Sequence, residues 1–131
     1  MTKFVGIVLL TVLISACAAT SNNELGYDGY NRSGETVEQT LLRLKEDSSV
    51  DVRNERGWTI ATMKSGRVMW SFTPPNHPAH PSFVKREVIE NDGRIYIETS
   101  ARCGASKQIC DDLVQDFIKL NNLVSKEMSG S

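Results

Sequence analysis

All four prolines of the chain lie between Thr73 and Pro81, in the sequence Thr-Pro-Pro-Asn-His-Pro-Ala-His-Pro. Proline fixes φ and lacks the amide hydrogen that a strand ladder needs, so this stretch cannot be a central strand. We expect a stiff, extended connection here, which we call the proline loop (Thr73 to Pro81). It divides the chain into two groups of secondary-structure elements.

A helix is predicted before the loop, from Glu35 to Asp47. Thr36 and Gln39 have the spacing of a capping box, in which the two side chains bind backbone amides of the first turn. The residues of its apolar stripe are Val37, Leu41 and Leu44, with Leu42 widening the stripe. Residues three and four apart lie on the same side of a helix, so we expect this stripe to face the core.

Apolar residues at every second position predict five strands. The alternating residues are Val50 and Val52, Trp58 and Ile60, Val68, Trp70 and Phe72, Val84 and Val88, and Ile95 and Ile97. In the third of these strands, Trp70 and Phe72 are expected to lie on a core face. The segment from Asn91 to Gly93 is typical of a hairpin turn.

The last predicted element is a helix that packs on the sheet. Its apolar stripe consists of Ile109, Leu113, Phe117, Leu120 and Val124. The short connections between the predicted strands make most of the sheet antiparallel. The expected fold class is therefore α+β, a small antiparallel sheet of about five strands packed against an N-terminal and a C-terminal helix, with both helices on one face.

Size and charge limit the possible functions. A chain of 131 residues has room for one domain. Its net charge of -1 argues against nucleic acid as a partner, because phosphate binding needs a clear excess of Lys and Arg. The sequence contains neither a Gly-x-Ser-x-Gly motif nor a phosphate-binding Gly-rich loop, so no catalytic motif indicates an enzyme.

The N-terminus has a different composition. Lys3 is the only charged residue before Glu24, and an apolar run extends from Phe4 to Ile14. This run is too short to cross about 30 Å of hydrocarbon, which needs about 20 residues, but it has the length of the hydrophobic region of a secretory signal peptide. A buried core helix is the alternative, although the run has neither a polar face nor caps.

The run ends in Ile14, Ser15, Ala16 and Cys17. This order resembles the lipobox of bacterial lipoproteins, an aliphatic residue and two small residues followed by the cysteine that receives the lipid. The resemblance implies cleavage before Cys17 and stable anchoring of Cys17 by several acyl chains such as palmitate. Ala18, which stands where inner-membrane lipoproteins have Asp, resembles the outer-membrane sorting class.

The resemblance implies a protein anchored to the periplasmic face of the outer membrane. We expect a signal peptide at residues 1–16, a lipidated flexible tether at residues 17–34 and a single α+β domain at residues 35–128. The tether is rich in Asn, Ser and Gly, as flexible linkers are.

The chain has three cysteines, and in a secreted protein an odd number leaves one cysteine without a disulfide partner. Assigning Cys17 to the lipid leaves Cys103 and Cys110, which we expect to form a disulfide in the oxidising envelope. A redox-active pair is the alternative. Redox motifs usually separate their cysteines by two residues, a spacing that this pair exceeds.

The candidate binding residues lie in the proline loop and are Pro75, His77, Pro78 and His80. A stiff loop loses little entropy on docking, so a protein partner in the envelope is one interpretation. Alternatively, His77 and His80 bind Cu or Zn, if a carboxylate such as Glu87 or Glu90 joins them. A rigid loop without a ligand is the third interpretation.

The sequence thus favours a non-enzymatic lipoprotein that binds an envelope protein in an assembly, accessory or inhibitor role, with a metal-binding module as the alternative. Two further features have two interpretations each. Lys85, Arg86 and Arg94 form either a basic spot or a solvated sheet face. Trp58 either stacks on a ligand or lies buried beside a hairpin.

Overall fold

The computed structural model describes residues 34 to 128, so the predicted signal peptide, Cys17 and all but the last residue of the predicted tether lie outside the described residues. The elements are α1 (Val37–Glu46), β1 (Val50–Glu55), β2 (Trp58–Met63), β3 (Val68–Phe72), β4 (Ser82–Asn91), β5 (Arg94–Cys103) and α2 (Lys107–Met128). The predicted α+β class, with five strands between two helices, is confirmed. Between residues 34 and 128, no helix has the length and apolar character needed to cross a membrane.

The sheet is a meander in which each strand pairs antiparallel with the next, in the order β1-β2-β3-β4-β5. Its longest pairing is the β4–β5 hairpin, which extends from Ser82 opposite Cys103 to Asn91 opposite Arg94. Asp92 and Gly93 both have positive φ, 51° and 76°, as a two-residue hairpin turn requires. The predicted turn at this position is confirmed.

Helix α1 begins with the predicted capping box. The backbone amide of Gln39 donates to Thr36 Oγ1 at 3.1 Å, and the backbone amide of Thr36 donates to Gln39 Oε1 at 2.9 Å. Leu44 is buried, whereas Leu42 is 54% exposed. The expectation that Leu42 widens the buried stripe was wrong, because two residues of a helix span about 200° and place Leu42 away from the face of Leu44.

The two helices pack on opposite faces of the sheet, which corrects the expectation that both cover one face. The α1 cluster contains Leu44, Ala61 and Phe72, and the α2 cluster contains Val84, Ala101, Leu113 and Val114. Ala61 pairs with Trp70 and Val84 pairs with Ser71. Because paired residues share a face and neighbours along a strand alternate, these clusters lie on different sides. The strands carry apolar residues on both faces, so each face needs a cover.

We call these sides the α1 face and the α2 face. Trp70 and Phe72 lie on the α1 face, and both belong to its cluster, as predicted for a core face. Leu120 of α2 was expected to pack on the sheet but is 43% exposed. It follows Phe117 by three residues, or about 300° around the helix axis, and therefore lies at the edge of the apolar stripe.

A disulfide joins Cys103, the last residue of β5, to Cys110 near the start of α2, as predicted. Both residues are buried in the α2 cluster. The bond therefore fixes the corner at which the chain turns from the sheet into its second helix.

Replacing Cys103 and Cys110 together by Ala should lower the free energy of unfolding by about 2 kcal/mol, because the short loop between them gains freedom in the unfolded chain. Urea titration followed by circular dichroism measures the difference. Reductant should cause the same loss in the wild type and no further loss in the double variant. Equal stability of oxidised wild type and variant would contradict a structural role for the bond.

Candidate functional site: an open groove beside the proline loop

The proline loop folds into successive turns. The amide of His77 donates to the carbonyl of Pro74 at 3.0 Å, and the amide of His80 donates to the carbonyl of His77 at 3.0 Å. This corrects the expectation of an extended connection. The histidines keep the amide hydrogens that the prolines lack, and those hydrogens close the turns.

Hydrogen bonds fasten the loop to the rest of the domain. The amide of Thr73 donates to the carbonyl of Ser82 at 3.0 Å, and the amide of Ser82 donates to Thr73 Oγ1 at 3.1 Å. The hydroxyl of Ser82 donates to the carbonyl of Ala79, whose side chain is fully buried in the α2 cluster. The amide of Gly104 donates to the carbonyl of Pro81 at 3.0 Å.

Gly104 also allows the closest approach between the loop and the corner that carries the disulfide. A Cβ at this position would lie 2.8 Å from the carbonyl oxygen of Pro81, which is closer than van der Waals contact permits. Only glycine fits there without a backbone shift. The loop is thus held rigidly beside the start of α2.

The structure places the four predicted binding residues on one loop but gives them different environments. Pro75, Pro78 and His80 are exposed, and His77 is half-buried. The ring of His77 packs edge-on against Trp58, with 5.3 Å between ring centroids, and its Nδ1 accepts the amide of Ala79 at 3.0 Å. Three of the four are therefore accessible, and Asn76 and Pro81 are exposed beside them.

Among the described residues, the structure offers no third ligand for a metal bound by His77 and His80. Nδ1 of His80 lies 3.1 Å from the carbonyl and 3.2 Å from the hydroxyl of Thr73, so one nitrogen of each histidine is already used within the loop. Glu87 is five positions beyond Ser82 on β4, or roughly 17 Å at strand spacing. Within residues 34 to 128, no three side chains of His, Cys, Asp or Glu are grouped as metal ligands.

A second surface arises from the width of the helices. One helix is about 10 Å wide and neighbouring strands are about 4.8 Å apart, so one helix covers about two strands. Helix α2 contacts β5, and helix α1 contacts β1. Among the described residues, no helix fully covers β4 and β5 on the α1 face or β1 to β3 on the α2 face, although Ile60 and Ser71 on the α2 face are buried.

The two open regions differ in polarity. On the α1 face, β4 and β5 present Lys85, Glu87, Glu98 and Ser100, which suits contact with water. On the α2 face, β2 and β3 present Trp58, Ile60 and Met69 beside helix α2. These three residues form the floor of a groove of about 360 Å³, which is within the size range of small-molecule sites.

Charged residues border the apolar floor. The groove is lined by Arg53, Glu55, Arg56, Trp58, Ile60, Met69, Ser71, Arg86, Phe117 and Leu120. Trp58 connects the groove to the proline loop, because its ring contacts Phe117 at 5.8 Å between centroids as well as His77. The groove and the loop therefore form one continuous surface around Trp58, which is half-buried and accessible to a ligand.

Arg86 is the most unusual member of the groove. Its guanidinium lies 5.1 Å from the ring centroid of Phe117, and its nitrogens donate to Met69 Sδ at 3.0 Å and to Asn121 Oδ1 at 3.5 Å. Burial lowers the pKa of Arg86. Its Nε is buried without a hydrogen-bond partner, and no carboxylate in the described part of the chain forms a salt bridge with it.

The three basic residues considered together from the sequence are separated by the sheet. Lys85 lies on the α1 face, in an ion pair with Glu87 at 3.5 Å, and Arg94 projects to the same face by its register, whereas Arg86 lies on the α2 face. The interpretation of a single basic spot was therefore wrong. The groove was missed in the sequence, although one signal pointed to it, since Arg86 occupies an inward position between Val84 and Val88.

Comparison with known proteins adds no further constraint on the site. No protein-family model, no curated protein and no solved structure matches the chain.

Proposed function

We propose that the protein is an outer-membrane lipoprotein, anchored through Cys17 on the periplasmic side, that binds an envelope protein through the proline loop. The N-terminal resemblance to a lipobox supports the anchor, and the disulfide between Cys103 and Cys110 is compatible with an oxidising compartment. The partner role is that of an assembly factor, an accessory subunit or an inhibitor.

The observation that carries the binding role is the combination of rigidity and exposure in the proline loop. Its backbone is fastened at Thr73, Ala79 and Pro81, while Pro75 and Pro78 remain exposed between these points. A protein surface that is already ordered loses little conformational entropy on binding. Exposed apolar rings on such a support are a suitable contact for another protein.

The anchor is tested by the intact mass of the protein purified from membranes. We expect loss of the residues before Cys17, added acyl groups, and a gain of two hydrogens on reduction of the disulfide. A Cys17→Ala variant should keep its N-terminal residues and gain no lipid. An intact, unacylated N-terminus in the wild type would contradict the anchor.

The binding role is tested by cross-linking the tagged full-length protein in its native envelope and identifying the captured protein by mass spectrometry. The double variant Pro75→Ala and Pro78→Ala should capture about one tenth as much of the partner as the wild type or less. It removes two exposed contacts and the stiffness between them. The matched control is Glu90→Ala, an exposed change at the far end of β4 that should keep full capture.

Circular dichroism must show that the double variant is folded. Since neither proline side chain is buried, we expect the spectrum of the wild type. Full capture of the same partner by the folded double variant would contradict the role of the loop.

A further inference from the structure

The open groove on the α2 face has a local charge opposite to that of the whole chain. The chain has a net charge of -1, whereas the groove is bordered by Arg53, Arg56 and Arg86 and by a single acid, Glu55. Arg53 and Glu55 are ion-paired at 3.4 Å. The groove thus keeps an excess of positive charge beside an apolar floor, which is complementary to an anion that has an apolar part.

Arg86 is the group in the groove that would gain most from an anion. It is half-buried, and its contacts in the protein are with a thioether, an aromatic ring and a distant amide oxygen. None of these contacts neutralises its charge, and buried arginines are ordinarily paired with acids. A carboxylate or phosphate would supply the missing charge-assisted hydrogen bonds.

The shape of the floor indicates the rest of the ligand. Trp58 and Ile60 are successive positions of β2 on the same face, and Met69 lies on the neighbouring strand. The apolar surface therefore follows the strand direction, between the arginines of the β1 side and Arg86 of β4. A narrow strip of this kind suits an extended hydrocarbon chain.

From this geometry we infer that the groove binds a single-chain amphiphile with an anionic head group, with the head at Arg86 and the chain along Trp58 and Ile60. Free fatty acids and lysophospholipids share this chemistry. This inference concerns the groove and not the proline loop. It does not depend on the protein-binding function proposed for the loop.

The test uses the chain from Ala18 onward, which lacks the predicted lipidated cysteine and contains every described element and both core clusters. Trp70→Phe leaves Trp58, in the groove, as the single tryptophan. The substitution lies on the α1 face and therefore outside the groove. Dodecanoate brominated at its chain end is the probe, used below its micelle concentration, since bromine quenches a tryptophan that it touches.

We expect saturable quenching of Trp58 with one probe per protein, and about tenfold weaker binding of the uncharged bromododecanol. Displacement of the probe by lysophosphatidylglycerol would assign the site to lysophospholipids, and failure of displacement would assign it to fatty acids. Absence of saturable quenching, or equal binding of the acid and the alcohol, would overturn the inference.

Two variants locate the head group. Arg86→Met should weaken dodecanoate binding about tenfold and leave binding of the alcohol unchanged, with Arg94→Met on the other face as the matched control. Because Arg86 is half-buried, a second variant guards against loss of folding. Leu120→Asp, at an exposed position of the groove wall, should also weaken binding of the acid more than binding of the alcohol.

Wild-type affinity for dodecanoate in a folded Arg86→Met variant would overturn the inference as well. The outcome is separate from that of the cross-linking experiment, which changes Pro75 and Pro78 and measures capture of a protein. Failure of either proposal therefore leaves the other standing.

Discussion

The width of an α-helix, compared with that of a five-stranded sheet, determines which parts of the sheet are covered in this molecule. One helix shields about two strands, and residues 34 to 128 contain one helix for each face. The meander begins beneath α1 and ends beneath α2, so the two covers lie over opposite ends of the sheet on opposite sides. In the described part of the chain, both faces therefore have a region that no helix covers fully, and the sequence determines the polarity of each region.

The two open regions differ in polarity because the strands place different side chains on each face. On the α1 face, β4 and β5 place charged and hydroxyl groups toward water. On the α2 face, the floor of the groove beside Phe117 consists of the half-buried Trp58 and Met69 and the buried Ile60. A groove with partly exposed apolar side chains beside a half-buried arginine is unfavourable unless a ligand or partner binds there. Function is therefore expected in this region and in the rigid loop on the other side of Trp58.

The local pattern of the sequence was sufficient for the elements. The alternation around Trp70 and Phe72 predicted β3, the pair Thr36 and Gln39 predicted the start of α1, and the two domain cysteines predicted the disulfide. The arrangement of elements was not predictable in the same way. Period-two patterns show that a strand has two faces, but they do not show which helix covers which face, so the helices were assigned to one side and the groove was missed.

The openness of the groove is tested most directly by thiol labelling of single introduced cysteines in the folded chain. Met69→Cys, at a half-buried position on the floor, should react with a small maleimide in the folded chain, although more slowly than the exposed control Ser100→Cys. Val84→Cys, beneath α2, should react only after unfolding. Equal protection at positions 69 and 84 would mean that the α2 face is covered throughout, and it would contradict the account given of both the fold and the groove.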